Sequence, residues 1–436
     1  MQRRDFLQLA VALGAYPATV GWPRLTSSPS QRLFFDNAEL PRIRSNAATP
    51  FLKEKFSSYL DTDLDDARRL IEISRSTTDF VTVLRDLRAL LERESLVYLI
   101  TEDAERGRLA ADALGVFLEL EQWDYFMDGE GRTLGFQRAP ESLIAVLFAS
   151  EVLEALDAAF DRTEALQSVA EKGCAPSFRS LTGMKNAEST TDWQFDPNYV
   201  TNYDVDLSRW PVILDKTNLK AIPIAGLGIG ALALSGFDER SSEWLALANE
   251  SSFAYLSLFS EDGGYFEGIS YADYSLRYLT IYFEASIRAE RPIDWVDEVN
   301  FHGVTEFVVA SQLGVRADGV KRDIVNFSDS NFSFHAGPLL WIANRARDGL
   351  AQYAARRFSE RDMFTDWLWY NPSRAETRPP ETLLNKRLDL DWIICRTGWE
   401  DDSNVVAFRS GMPSNHEHAD RNSFIFKAYG ERLLTD

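Results

Sequence analysis

Residues 218–235 read NLKAIPIAGLGIGALALS, a stretch that decides between a helical domain and a nucleotide-binding fold. Its apolar residues recur at three- and four-residue spacing, which predicts a helix. No predicted strand precedes the glycines, and their spacing matches neither a dinucleotide-binding loop nor a Walker loop. We therefore interpret the glycines as places where two helices approach closely, with Pro223 either kinking this helix or delaying its start.

The same helical spacing extends outward from about Pro41 to Ser359. Short polar segments such as residues 236–240 join the helices, with Gly236 where a helix C-terminus is expected. Many helices joined by tight turns predict stacked helical hairpins, as a curved solenoid or an α/α toroid, and we predict a toroid over residues 30–375. The clearest predicted helices are Ala104–Trp123, Glu141–Phe160, Asn218–Ser235, Ser241–Phe259, Tyr274–Ala289 and Leu350–Phe358.

The pattern changes after Tyr370, where residues 371–381 form a proline-containing connector that breaks helices. Strand-like runs follow at Leu390–Arg396, Asn404–Arg409 and Ser423–Ala428. The predicted fold class is therefore mainly α with a C-terminal all-β part over residues 388–436. Three or four strands cannot close a sandwich core, so we expect these residues to be the first part of an antiparallel β-sandwich in a longer chain.

The N-terminus resembles an export signal. Arg3 and Arg4 are followed by Phe6 and Leu7 and by a short apolar run, which is typical of a twin-arginine signal peptide over residues 1–25. The alternative is a basic tail that leads into an amphipathic helix. No run of 18 apolar residues follows, so we expect no membrane span and a periplasmic or secreted protein.

The charge of the chain limits its possible partners. The 46 Lys and Arg residues against 67 Asp and Glu give a formal net charge of -21, which argues against a nucleic-acid partner.

A disulfide between Cys174 and Cys395 is possible outside the cytoplasm. Cys395 lies in an apolar run, however, and twin-arginine export implies folding in a reducing compartment, so we expect no bridge.

Residues 262–274 read DGGYFEGISYADY, a glycine-rich turn that leads into a helix. Tyr271, Tyr274 and Tyr278 follow helical spacing and so lie on one face. An aromatic stripe of this kind is often part of the core, which is our interpretation of Tyr278. Tyr271 lies beside glycines and Glu267, so we regard it as a candidate for a phenol that lines a cleft.

Two other segments carry candidate functional residues. Asn218 opens the small-residue helix, where an asparagine can also serve merely as a cap. His416 and His418, followed by Asp420, account for two of the four histidines in the chain. On a strand, their spacing directs both imidazoles to one face, which suits contact with a metal or a substrate.

Taken in order, these segments resemble the heparinase II/III-like lyases and related alginate lyases. That family carries an asparagine at a helix start, a Gly/Ala-rich helix, the pattern DG-x-x-x-EG-x-x-Y-x-x-Y, and H-x-H-x-D near the start of a β-sandwich. The matching residues are Asn218 with Gly226–Ala233, Asp262–Tyr274 and His416–Asp420. Asp323–Ser330 also resembles a segment near the end of the family's helical domain.

The resemblance implies a polysaccharide lyase that acts on an acidic, uronate-containing polymer by β-elimination. In such a reaction, the uronate carboxylate is neutralised, a base removes the C5 proton and an acid protonates the leaving O4. By resemblance, Tyr271 is the catalytic tyrosine, while Asn218 and His416 hold the carboxylate or serve as a base partner. Leu219 occupies a place where some members have a histidine. Either Tyr271 therefore serves as both base and acid, or His416 supplies the base.

The remaining assignments concern substrate binding and a metal. We assign Glu267 and Lys220, which lie in the same two segments, to substrate binding. His418 corresponds to a zinc ligand of the family and Asp436 is a second candidate, which implies a structural zinc ion with a further ligand beyond these residues.

Two other functions are compatible with the sequence. An α/α-toroid glycoside hydrolase would need two carboxylates across the scissile bond, and Glu267 and Asp273 are available. A non-catalytic glycan-binding relic of the lyase fold would keep the shape without the chemistry.

Overall fold

The computed structural model describes residues 32–76, 80–126, 132–185, 217–315, 322–328, 330–331, 334–410 and 422–434. The predicted signal peptide, residues 1–25, lies outside these ranges, so twin-arginine export stays a prediction. The helices within them are α1 (Leu40–Asn46), α2 (Lys53–Leu60), α3 (Leu64–Ser76), α4 (Phe80–Thr101), α5 (Ala104–Glu119), α6 (Arg138–Leu156), α7 (Thr163–Ser168), α8 (Ala175–Lys185), α9 (Asn218–Ala233), α10 (Ser241–Leu256), α11 (Ile269–Arg288), α12 (Phe301–Ala310), α13 (Ala336–Arg345), α14 (Gly349–Phe358) and α15 (Phe364–Trp369). The segment Val169–Cys174, between α7 and α8, is a π-helix.

Six helices form a closed inner ring. In order around the ring, α4, α6, α9, α11, α13 and α15 each pack against the next, and α15 packs back against α4. Helices α5, α10 and α14 pack outside their neighbours in the chain, so inner and outer helices alternate along the sequence. Asn46 in α1 helps to close the ring, because its side-chain amide donates to the carbonyl oxygens of Trp367 and Tyr370 at 2.8 Å each. The predicted α/α toroid is therefore the architecture of this domain.

The inner helices α6 and α9 are buried on nearly every side. Every residue of α6 from Ala139 to Leu153 is buried. In α9, a Cβ atom added at Gly226 would lie 2.3 Å from Pro140, and one added at Gly228 would lie 2.3 Å from a ring carbon of Tyr282. The glycines of α9 therefore allow close packing against α6 and α11, as predicted. None of the described helices is long and apolar enough to cross a bilayer.

The C-terminal part is one antiparallel sheet whose strands pair in chain order. The predicted fold class, mainly α with a C-terminal β part, is confirmed. Three of the strands correspond to predicted ones, whereas the first and last of the sheet were not predicted. The strands are β3 (Asn385–Leu388), β4 (Trp392–Arg396), β5 (Val405–Arg409), β6 (Ser423–Ala428) and β7 (Glu431–Leu434). A separate antiparallel hairpin, β1 (Gln312–Val315) and β2 (Arg322–Ile324), interrupts the region predicted to be helical.

Cationic side chains join the sheet to the helical domain. Arg396 on β4 donates to the carbonyl oxygens of Ala310 and Gln312, both at 2.6 Å. Arg432 on β7 donates to the carboxylate of Asp323 at 3.0 Å and to the carbonyl of Ile324 at 2.6 Å. The small hairpin β1–β2 is therefore one of the places where the sheet is attached to the helical domain. Lys386 on β3 adds another, since its ammonium lies 2.7 Å from the Glu306 carboxylate in α12.

Several predicted boundaries move in the structure. Helix α11 begins at Ile269 rather than at Tyr274, so Tyr271 lies in its first turn. Helix α9 begins at Asn218, but the cap is Thr217, whose side-chain oxygen accepts from the Leu219 amide. Pro223 lies inside α9 and does not delay its start. Cys174 and Cys395 are both free cysteines.

Candidate active site in the toroid

The Glu267 carboxylate joins the starts of two inner helices. Glu267 lies just before α11 and is fully buried. Its Oε2 atom accepts hydrogen bonds from the Asn218 backbone amide at 2.7 Å and from the Asn218 side-chain amide at 3.3 Å. The Tyr265 hydroxyl donates to the same oxygen at 2.6 Å. Because a buried carboxylate with several donors is held firmly, Glu267 sets the position of Asn218.

A chain of hydroxyl groups continues from Glu267 to the first turn of α11. The Tyr265 hydroxyl lies 2.7 Å from the Tyr255 hydroxyl, which lies 2.6 Å from the Ser275 hydroxyl. Ser275 in turn donates to the backbone carbonyl of Tyr271 at 2.9 Å. Since Tyr265 and Ser275 donate their only hydroxyl protons to Glu267 and Tyr271, Tyr255 can donate to just one of the two. The backbone of the predicted catalytic tyrosine and the predicted catalytic asparagine thus lie at the two ends of one chain of close polar contacts.

The turn before α11 needs glycine. Gly268 has φ +88°, a left-handed conformation that other residues rarely adopt. A Cβ atom there would lie 2.4 Å from Ser330 Oγ and 2.9 Å from the Phe327 carbonyl oxygen. Phe327 and Ser330, which belong to the segment that the sequence resemblance singled out, therefore lie against the start of α11.

Tyr271 is half-buried in the first turn of α11, above Tyr274 on the same face of the helix. The Tyr274 hydroxyl donates to Glu141 Oε1 at 2.7 Å and accepts from the Gln137 side-chain amide at 3.2 Å. Tyr278, one turn further on, also donates to Glu141 Oε1, at 3.1 Å. We interpreted Tyr278 as a core residue, and it is buried, but its hydroxyl belongs to this polar cluster.

Glu141 lies in the first turn of α6 and is the anionic centre of the cluster. Arg138 donates to its Oε2 atom at 2.7 Å, and an Arg88 nitrogen lies 3.6 Å from the same oxygen. Burial alone would raise the pKa of Glu141, but the charges of Arg88 and Arg138 outweigh it and lower the pKa to about 2. Glu141 is therefore ionised at any working pH, and it neutralises part of the charge of both arginines.

A second group of ionisable residues surrounds Arg277 on α11. Its guanidinium lies over the rings of Tyr274 and Tyr278, at 5.0 and 4.9 Å from their centroids. One of its nitrogens lies 3.3 Å from His335 Nε2. Asp273 accepts from the His335 backbone amide at 2.8 Å and lies 2.7 Å from His335 Nδ1.

These contacts show that four inner helices begin on one rim of the toroid. Asn218 starts α9 beside Glu267, which precedes α11. His335 precedes α13 and contacts Asp273 in the second turn of α11, while Gln137 precedes α6 and contacts Tyr274. The N-terminal end of a helix carries partial positive charge, so this rim favours an anionic ligand even though the whole chain is acidic.

The structure brings some predicted site residues together and shows which protein groups they contact. Asn218, Glu267 and the start of the Tyr271 helix meet as described, but Glu267 is 0% exposed and its Oε2 is occupied by protein donors. This arrangement is typical of a residue that positions others, and the contact of Glu267 with substrate stays a prediction. Lys220 is 7% exposed. Its contact with substrate stays a prediction.

The predicted residues of the β domain fall elsewhere. His416, His418 and Asp436 lie outside the described residues, so their convergence with Tyr271 and the predicted zinc ion stay predictions. Within the described ranges, no group of three or more His, Cys, Asp or Glu side chains could hold a metal ion.

Sequence reasoning missed two members of the site. Arg277 follows Tyr274 by three residues, so helical spacing alone would have placed the two side by side. His335 had no such signal, because its contact with Asp273 spans 62 residues of chain.

No protein-family model and no curated protein sequence matches this chain. Among solved structures, a heparinase III shares 12% identity at a TM-score of 0.49, covering 78% of this chain and 48% of its own. A heparan sulfate lyase from Pedobacter heparinus shares 13% identity at a TM-score of 0.46, covering 98% of this chain and 62% of its own. The chain thus spans about half to two thirds of the length of these structures. Similarity at this level does not establish an activity, which must follow from the side chains of the site.

Proposed function

We propose that this protein is a polysaccharide lyase that cleaves a uronate-containing polymer by β-elimination. A base removes the C5 proton of the uronate, the C4–O4 bond breaks with the electron pair leaving on O4, and an acid protonates that oxygen. The product carries a C4–C5 double bond. Tyr271 is the proposed acid, and either Tyr271 itself or His416 is the proposed base. Asn218 is the proposed partner of the carboxylate.

The observation that carries the proposal is the Glu267 network. It holds Asn218 at the start of α9 and continues to the backbone of Tyr271 at the start of α11. An amide donor and a phenol on the N-terminal rim of a toroid are the residue types that the elimination needs, since the carboxylate must be neutralised while a proton is moved. The helix N-termini support the same choice of an acidic substrate.

The glycoside hydrolase alternative is disfavoured by the placement of its two candidate carboxylates. Glu267 and Asp273 are both fully buried. Glu267 accepts from Asn218 and Tyr265, while Asp273 is held by the backbone and ring of His335. Neither is available to protonate a glycosidic oxygen or to activate a water molecule.

The test is the absorbance of an unsaturated uronate, followed across a panel of acidic polysaccharides. Tyr271→Phe should lower kcat by about a hundredfold or more, the usual scale for a positioned acid or base, with little change in binding. Tyr282→Phe is the matched control, because it removes a hydroxyl from the same helix on the side that faces Gly228. Full activity in Tyr271→Phe, or no unsaturated product from any uronate polymer with the unaltered protein, would refute the proposal. In the second case, the glycan-binding alternative would remain.

Two accompanying expectations complete the proposal. A zinc ion held by His418 and Asp436 would order the C-terminal part beside the cleft, a structural role rather than a catalytic one. Export by the twin-arginine route would deliver the folded protein to a compartment where it meets extracellular polysaccharide. Fusion of residues 1–31 to a reporter, with Arg3 and Arg4 changed to lysine as the control, tests the second expectation.

A further inference from the structure

Arg277 differs from Arg88 and Arg138, the two arginines of the Glu141 cluster, because no carboxylate contacts it directly. Arg88 and Arg138 are both within 4.0 Å of the Glu141 carboxylate. Within the described part of the chain, no carboxylate forms an ion pair with Arg277 at that distance. Its contacts there are His335 Nε2 and the faces of Tyr274 and Tyr278.

The nearby acids are committed to other partners. Asp273 holds the backbone amide and ring of His335, and Glu141 holds Arg138, Tyr274 and Tyr278. A third acid, Glu92, lies 3.6 Å from an Arg88 nitrogen. The charges of all three acids act on Arg277 without direct contact. A guanidinium that is largely desolvated and lacks a direct carboxylate gains most from an added anion.

His335 and Asp273 give that guanidinium a defined orientation. Asp273 Oδ2 lies 2.7 Å from His335 Nδ1, which favours a proton on Nδ1 and leaves Nε2 as an acceptor for Arg277. Burial lowers the pKa of His335, so the ring is neutral at neutral pH. The pair therefore positions the guanidinium without placing a carboxylate in direct contact with it.

We propose that Arg277 binds an acidic group of the sugar chain, a carboxylate or a sulfate, and that the Asp273–His335 pair orients it. This inference rests on the proposed lyase function and adds the residue that selects the substrate's charge. An oxyanion is the matching ligand because a guanidinium presents paired donors to two oxygens.

The distance between Tyr271 and Arg277 along α11 would allow Arg277 to bind the sugar next to the one that reacts. Arg277 follows Tyr271 by six residues, which is about 9 Å along the helix axis. Side chains of a helix lean toward its N-terminus, so the guanidinium lies closer to the rim than its Cα atom does. Arg277 is therefore a specificity residue beside the reacting centre, and Tyr271 remains the group at that centre.

The experiment measures the affinity of acidic oligosaccharides for the Tyr271→Phe protein by calorimetry, which avoids turnover. Arg277→Gln in that background should weaken binding by about tenfold to a hundredfold, the scale of one charge-assisted hydrogen bond. Arg240→Gln is the matched control, because Arg240 also lies over an aromatic ring, that of Trp244, but it caps the outer helix α10. It should leave the affinity unchanged.

Chemically desulfated and carboxyl-reduced oligosaccharides distinguish the two sources of the anion. One of the two modifications removes the group that Arg277 binds. The ligand modified in this way should bind more weakly to the protein that retains Arg277. The proteins with and without Arg277→Gln should then bind it with equal affinity. His335→Asn should reduce the same preference while leaving the affinity for the modified ligand unchanged. Circular dichroism of each variant, with Arg277→Lys as the conservative one, shows that the fold is retained.

The outcomes separate this inference from the function on which it rests. Turnover by the unaltered protein, with equal affinity in Arg277→Gln, would overturn the role of Arg277 alone. An equal loss of affinity for native, desulfated and carboxyl-reduced ligands would likewise show a purely structural role. Failure to bind or cleave any acidic polymer would overturn both proposals.

Discussion

Replacing Glu267 by glutamine tests whether one buried carboxylate organises the site. The substitution keeps the shape of the side chain and one acceptor oxygen but removes the charge. Its two short contacts, from the Asn218 amide at 2.7 Å and the Tyr265 hydroxyl at 2.6 Å, then become hydrogen bonds between neutral groups. Bonds to a charged partner contribute about 1.5–3 kcal/mol and neutral ones about 0.5–1.5 kcal/mol. We therefore expect a loss of about 2 kcal/mol of unfolding free energy.

The functional effect should exceed that of a simple loss of stability. Asn218 depends on Glu267 through both its backbone and its side chain. A small misplacement of a positioned group costs up to about a hundredfold in rate. We expect Glu267→Gln to lower kcat by about tenfold to a hundredfold under conditions where the variant is fully folded. Urea unfolding and the unsaturated-product assay, run on the same preparation, measure the two effects separately.

Glu261→Gln provides the matched control, because Glu261 is an exposed carboxylate in the same turn. It should change neither the unfolding free energy nor kcat. If Glu267→Gln behaved like this control, the network from Asn218 to Tyr271 would not organise the site. A loss of stability without any loss of kcat would limit Glu267 to a structural role.

The remaining predictions concern stability and metal. Burial raises the pKa of Asp366 from its ordinary value of 3.8 to about 7, so the folded state holds this proton more tightly than the unfolded chain and loses stability as pH rises between those values. The urea midpoint of Asp366→Asn should therefore rise relative to that of the unaltered protein between pH 5 and pH 8. A difference in midpoint that does not depend on pH would contradict this. Gly228→Ala should cost about 1–3 kcal/mol, because the new methyl group meets the Tyr282 ring, whereas Gly115→Ala, with nothing within 4 Å, should be neutral or stabilising. If the full-length protein holds the proposed zinc, His418→Ala should lower both its zinc content and its melting temperature, and zinc-free native protein would rule out the site.

Local sequence patterns were sufficient to predict most of the secondary-structure elements. Ser423–Ala428 alternates buried and exposed side chains over much of its length and forms strand β6 with the predicted bounds. The short strands β3 and β7 were missed because they are mostly polar or exposed at the edges of the sheet, where little burial shapes the sequence. The hairpin β1–β2 was missed for a similar reason, since strands of four and three residues carry almost no periodic signal.

The sequence by itself determined the helical domain, the all-β part after Tyr370 and the candidacy of Asn218 and Tyr271, because periodicity and motif spacing are local properties of a chain. Tertiary structure decided the roles. Glu267, a predicted substrate ligand, is buried and holds Asn218, and this contact spans 49 residues of chain. Likewise, Arg277 is marked out only by which acids are committed to other partners once the inner helices close into a ring. Burial and counter-charge belong to the packed molecule, so no local pattern could have shown them.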